Sequence, residues 1–271
     1  MAADIFGYNN SIFVNSGRKH SAVSRGKSMY SFQSRIRYSE LDETGHLTIE
    51  ALLDYFQDCS TFQSEDLGLG IEYLKTQHML WVMSSWQIVA ERYPVLGENV
   101  TISTLPYDFK GFIGYRNFMM TDAEGKRLAC ANTIWSLLDT ETGKPARPME
   151  EMLEKYKLEP RIDMEYAPRR IAVPGEITPA EEIVIRPHHL DTNHHVNNGQ
   201  FVKIAMECLP PCGPVRQLRA EYKKQALLGD VLFPSIASGN QGQHIVELKD
   251  RDKRVCCIVE IQEDAGSAQL A

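Results

Sequence analysis

The chain repeats itself. Residues 36–59 lie over residues 185–208 at a constant offset of 149 without a gap. Ile36, Arg37, Leu41, Asp42, His46 and Cys59 then meet Ile185, Arg186, Leu190, Asp191, His195 and Cys208. Six identities in 24 positions compare with roughly one or two expected by chance, and such self-similarity marks a duplicated unit. Farther on, Leu96-Gly97-Glu98 meets Leu228-Gly229-Asp230 at an offset of 132, and Lys126-Arg127 meets Lys253-Arg254 at 127. Order is kept while the offset shrinks, so the second copy has the shorter connections. A length of 271 residues accommodates two units of about 120 to 130 residues, each able to bury a core.

The unit can be read element by element. Residues 31–38 form a short alternating strand that ends in a polar stretch. Ile49, Leu52, Leu53, Phe56 and Cys59 then fall at helical spacing within residues 48–63. Thr48 suits the N-cap, and Glu50 suits the positive end of the helix dipole. Next come four strands rich in Val, Ile, Trp, Tyr and Phe, at residues 81–92, 100–106, 112–121 and 127–138, with a turn at Asp122-Ala123-Glu124-Gly125. The second copy predicts a strand at 182–186, a helix at 197–209, and strands at 215–224, 231–237, 244–249 and 255–262. One strand, one long helix and four antiparallel strands is the order of the hotdog fold. The expected class is therefore α+β, a tandem double hotdog of two antiparallel sheets, each wrapped around a central helix. Residues 29–143 are assigned to the first hotdog, 144–174 with five prolines to a linker, 175–265 to the second hotdog and 266–271 to a tail. Pairing the two sheets edge to edge would protect strand edges that a lone unit exposes.

Several function classes fall away. No apolar run approaches the roughly 20 residues of a membrane span. A net charge of −7 speaks against general nucleic-acid binding. Six irregularly spaced cysteines do not make a disulfide framework and are read as reduced thiols of a cytoplasmic protein. Residues 1–28 carry Arg18, Lys19, Arg25 and Lys27 against Asp4, without the apolar stretch of a secretory signal, and are expected to be a disordered extension.

Polar chemistry concentrates in one place. Residues 188–198 hold His188, His189, Asp191, Asn193, His194, His195, Asn197 and Asn198 just before the second helix. Capping a helix requires one or two such residues, far fewer than this. A helix N-terminus offers unpaired N–H groups to a developing oxyanion. An imidazole such as His195 exchanges protons near neutral pH. Asp191 could orient that imidazole or hold an attacking water, and Asn193 can donate an amide N–H to the carbonyl oxygen of a thioester. The histidines lack metal-ligand spacing, so no metal and no cofactor are expected.

Leu190-Asp191-x-Asn193-x-His195-Val196-Asn197-Asn198 resembles the DxNxHVNN signature of the acyl-acyl-carrier-protein thioesterases of plants and bacteria. Glu221-Tyr222-Lys223-Lys224-Gln225-Ala226 is similar to that family's EYRREC segment. The resemblance runs over about residues 30–263 and implies a double hotdog. It also implies hydrolysis of fatty acyl thioesters on acyl carrier protein, ending fatty-acid synthesis, with Asp191, Asn193 and His195 catalytic. Plant members carry Glu-Cys where this chain has Gln225-Ala226. A cysteine nucleophile is thus ruled out at that position, and Gln225 can bond a water without taking its proton. Attack by water remains, with Asp191 or His195 as base; Asp191 is favoured as the group holding the water and His195 as its partner.

By the same resemblance the first copy houses the acyl chain, with Trp81, Met83 and Trp86 as candidate lining; Asn197 and Asn198 are candidate substrate contacts. The first copy keeps Asp42 and His46 but has Thr44 in place of Asn193. Arg216, Arg219, Lys223 and Lys224 are candidates for docking an acidic carrier protein. The rival readings are an acyl-CoA thioesterase, a hydratase or dehydratase, and a non-catalytic acyl-binding module. A homodimer of the fused chain is possible on these grounds.

Overall fold

The computed structural model describes residues 29–210, 212–239 and 242–264. The expectations for residues 1–28 and 266–271 lie outside the described residues. The first half comprises β1 (Tyr30–Arg35), α1 (Ile49–Asp66), α2 (Ile71–Thr76), β2 (Met79–Ala90), β3 (Asn99–Lys110), β4 (Ile113–Thr121) and β5 (Arg127–Asp139). After α3 (Glu150–Lys155) come β6 (Thr178–Pro179), β7 (Ile183–Val184), α4 (Asn198–Glu207), β8 (Val215–Tyr222), β9 (Val231–Ser238), β10 (Gln243–Lys249) and β11 (Val255–Glu263). The strands form one antiparallel sheet in the order β1-β3-β4-β5-β2-β8-β11-β10-β9-β6, with β7 also on β9. The tandem double hotdog is the fold of the chain.

The two halves join where β2 pairs with β8, from Ser85 opposite Glu221 to Val89 opposite Gln217. Equivalent backbone bonds relate the halves here: Leu47 N donates to Pro94 O, and Val196 N donates to Ala226 O, with Pro94 and Ala226 lying 132 positions apart. At that offset Gln87 is equivalent to Arg219, and the two face each other across the seam. A local two-fold axis therefore passes between them. The turn bonds correct one pairing made on identity: Gly125 N donates to Asp122 O as Lys253 N donates to Asp250 O, so Lys253 matches Gly125 and not Lys126.

One sheet face packs on α1 and α4. Phe56 of α1, Trp86 of β2 and Phe118 of β4 form an aromatic cluster with ring centroids 5.2–6.4 Å apart. Thr48 caps α1 as expected, its hydroxyl accepting from Ala51 N at 3.2 Å. The helix then outruns the predicted end at 63. Its apolar stripe gives way to Ser60 and Ser64, whose hydroxyls bond back to Gln57 O and Ser60 O, and the helix stops at Gly68 with φ +67°. Helix α4 meets the middle of α1 closely. A Cβ at Gly199 would stand 3.1 Å from Asp54 Oδ1 and 3.3 Å from a Leu53 methyl.

Residues 144–174 first form α3 on the α1 side, where Met152 and Tyr156 are buried against Leu69, and then cross the opposite sheet face, where Ile171 is buried against Ala237, Ile245 and Ile258. Polar side chains on that face find backbone partners here: Asn117 accepts from Ile162 N, Gln87 from Ala167 N, and Glu221 from Ile171 N. No helix among the described residues is long and apolar enough to cross a membrane.

Candidate active site

The loop ahead of α4 is organised by one carboxylate. Asp191 Oδ1 accepts from Asn193 N at 2.8 Å and His195 N at 3.1 Å, while Asp191 N donates to His195 O at 2.8 Å. His194, at φ +61°, makes the turn and donates its N–H to Asp191 O. Leu190 and Val196 then bridge as a short antiparallel pair. Asn197 is the N-cap, its Oδ1 accepting from Gly199 N at 2.8 Å. The Asn198 N–H, first of the helix, has no protein acceptor among the described residues. The loop thus aims side chains at a helix end that carries partial positive charge.

Two cavities meet there. The smaller, about 240 Å³, takes Asp191, Asn193, His195 and Asn198 from this loop, Gln225 and the two lysines before it from beyond β8, and Trp81 and Met83 from β2. The larger, about 620 Å³, shares Leu80, Trp81, Asp191, Asn193 and Asn198 with it and extends into the first half. There it runs between α1, through Gln57, Ser60, Thr61 and Ser64, and the aromatic side chains of Phe109, Trp135 and Tyr156.

Asp191, Asn193, His195 and Gln225 therefore line one cavity. Asp191 and the His195 ring do not pair: among the described residues, the histidines within ion-pair distance of a carboxylate are His78, with Glu141, and His244, with Glu263. The His195 ring has no protein partner there either. Ala226 is buried, and its carbonyl holds Val196 N at 2.9 Å. Asn197 and Asn198 border the larger cavity, Asn198 both. Trp81 lines both cavities and Met83 the smaller, but Trp86 belongs to the aromatic core and lines neither.

The basic quartet divides. Arg216 donates to Ala90 O across the seam, and Arg219 pairs with Glu260 at 2.9 Å and reaches Arg170 O at 3.0 Å. Those two guanidinia are engaged in holding the halves and residues 168–170. Lys223 lies 3.6 Å from Glu221, Lys224 pairs with Asp250, and both stand on the smaller cavity. No group of three or more potential metal ligands occurs among the described residues.

Sequence reasoning missed two features. Ser84 and Ser136 bond each other at 2.9 Å on the smaller cavity. Ser84 sits at a bulge between Met83 and Ser85, and the signal was the Ser-Ser pair breaking an apolar strand. Arg116 is the other. It shares strand parity with Phe118 and Met120 and so points inward, onto the larger cavity.

Residues 27–156 match the family model for the acyl-ACP thioesterase N-terminal domain. That segment carries the N-terminal domain of the acyl-ACP thioesterase family. A chloroplastic acyl-[acyl-carrier-protein] hydrolase of Cuphea viscosissima is 25% identical over 79% of this chain, and an oleoyl-acyl carrier protein thioesterase of Arabidopsis thaliana is 22% identical over 73%. The chain spans 57% and 60% of the lengths of those two relatives. Among solved structures, an acyl-ACP thioesterase from Bacteroides thetaiotaomicron shares the fold with a TM-score of 0.78 at 22% identity, over 86% of this chain and 96% of that one. A structure described as an oleoyl thioesterase from Lactobacillus plantarum gives 0.75 at 26% identity, over 86% and 95%. The family match ends at residue 156, so the loop at 191–195 lies beyond it.

Proposed function

We propose that this chain hydrolyses fatty acyl thioesters carried on acyl carrier protein, releasing free fatty acid and ending chain synthesis. The observation that carries the reading is the convergence of Asp191, Asn193 and His195 on one cavity at the amino end of α4. In this reading the thioester carbonyl sits at the junction of the two cavities. Its oxygen is received by the Asn198 N–H and the Asn193 amide. Water attacks the carbonyl carbon, and His195 takes its proton. Asp191 Oδ1 is committed to the loop, which leaves Oδ2 to hold the water. The tetrahedral intermediate then expels the carrier thiolate, which takes up a proton. A thiol leaves more readily than an amine, so strong acid assistance is unnecessary.

The first half holds the acyl chain in the larger cavity, and residues 175–265 supply the chemistry. Lys223 and Lys224, beside Gln225 at the smaller cavity, are the docking candidates for an acidic carrier; Arg216 and Arg219 act within the fold. The test is release of free fatty acid from a panel of acyl-carrier-protein and acyl-CoA thioesters of graded length. Turnover with carrier-bound substrates at least tenfold above the CoA series supports the reading. Preference for CoA replaces the carrier assignment, and no release from either series refutes hydrolysis.

A further inference from the structure

Arg116 is a charge without a counter-charge. It is 8% exposed, on β4, and no carboxylate pairs with it among the described residues. Burial disfavours its charged form. A guanidinium carries five N–H donors, two of them on Nη1. Nη1 donates to Gln63 Oε1 and, at 3.0 Å, to Thr104 Oγ1, and the group lies 5.4 Å from the centre of the Tyr156 ring. The N–H groups on Nε and Nη2 have no protein acceptor among the described residues. Yet neither nitrogen is sealed off, since the side-chain polar atoms both fully enclosed and unpartnered are Gln57 Oε1 and Trp86 Nε1. The surface left to Arg116 faces the larger cavity, which it lines together with Gln57.

A purely hydrocarbon chain leaves these groups unanswered, at the desolvation cost of buried unpaired donors. Asp58 and Glu65 line the same cavity but make no ion pair with Arg116; Glu65 is engaged with Ile71 N at 2.9 Å. On the α1 wall the hydroxyls of Ser60, Thr61 and Ser64 are bonded to helix carbonyls, while Gln57 Oε1 has no partner among the described residues.

We propose that the larger cavity selects acyl chains bearing an oxygen function remote from the thioester, a hydroxyl, oxo or carboxylate group, and that Arg116 is the residue that receives it. This rests on the acyl-thioester reading of the cavity. Three N–H donors in a planar fork suit an oxygen acceptor, and a charge-assisted bond to a buried guanidinium discriminates more strongly than the same bond in water.

The experiment has two readouts. Binding of free fatty acids of equal length, unsubstituted or carrying hydroxyl, oxo or carboxylate groups at successive positions, is measured by calorimetry with the intact chain. Hydrolysis of the matching acyl-carrier-protein thioesters is measured alongside. The expected result is at least tenfold tighter binding, and an equal preference in kcat/KM, for one of the oxygenated chains; the preferred substituent identifies the oxygen chemistry. Arg116→Met should reduce that preference at least tenfold, and Arg116→Lys, which keeps the charge and loses the fork, by less. A ratio taken within one variant is insensitive to its folded fraction. If Arg116→Met fails to fold, Arg116→Lys and the wild-type ratios decide. A wild-type chain that binds unsubstituted acids as well as every oxygenated one overturns the proposal. So does a preference unchanged in Arg116→Met. Selective binding without hydrolysis of any thioester would overturn the hydrolase reading and leave the selectivity of Arg116 standing.

Discussion

The loops ahead of α1 and α4 are built alike and differ in what they leave over. Asp42 Oδ1 accepts from Thr44 N and His46 N as Asp191 Oδ1 accepts from Asn193 N and His195 N. Gly45 at φ +81° occupies the place of His194 at φ +61°. In the first half, though, Thr44 turns its hydroxyl to both Asp42 Oδ1 and His46 Nδ1, at 2.7 and 2.9 Å, closing the circle. In the second half Asn193 makes no such bond and the His195 ring is left to the cavity. Asp-x-x-x-His is therefore a way of folding this turn. In the proposed reaction the histidine of the second copy acts from outside that circle.

The comparison is open to attack. His195→Ala should lower turnover by about a hundredfold or more, whereas His46→Ala should change it less than about twofold, both followed by fatty-acid release. Comparable losses at the two positions would make the first loop a working site. Asp191→Asn keeps an Oδ1 acceptor for the loop and removes the charge beside the water. A loss of about a hundredfold is expected, while near-normal turnover would reduce Asp191 to the strap that Asp42 is. Asp42→Ala should cost about 1 kcal/mol of stability in denaturant titration. Burial pushes the Asp42 carboxyl up, but the hydrogen bonds from Thr44 and His46 outweigh it and hold it below its ordinary 3.8. The strap is present above that value and lost as pH falls through the lowered one, so wild type and Asp42→Ala should converge in acid. Gly45→His should destabilise by about 1 kcal/mol, and His194→Gly should stabilise by about half of that, because a side chain in the left-handed region is strained. Alkylation of accessible cysteines should have the smallest effect, leaving turnover largely intact. Burial raises all six thiols, Cys59 to about 12, and none lines either cavity. Inactivation prevented by substrate would restore a thiol mechanism.

The duplication made the fold legible, because each copy checked the other: a helix start read at Thr48 was read again at Asn197, and both are N-caps. The candidate site was legible as far as polar residues cluster along the chain. Partners far apart in sequence were not. Arg216 and Arg219 look like a basic patch with Lys223 and Lys224 until Ala90 O, Glu260 and Arg170 O claim them. Helix α1 was cut short because apolar periodicity was the signal, and its last turns face a cavity with Ser60 and Ser64. Trp86 looks like Trp81 in sequence, and the bulge between them sets both rings on the same sheet face, so what separates them is position along the strand: Trp86 stacks on Phe56 in the core and Trp81 stands at the cavity wall.

The seam between β2 and β8 has a consequence for how such a molecule can change. Two identical subunits meeting edge to edge must accept every substitution twice, once on each side of the axis. Here the axis runs between Gln87 and Arg219 of a single polypeptide, so residues related by it are encoded separately. One copy can lock its histidine while the other releases it, and a hollow can grow on one side without a rotated counterpart weakening the other. Division of labour is available to this chain because its symmetry is no longer enforced by identity.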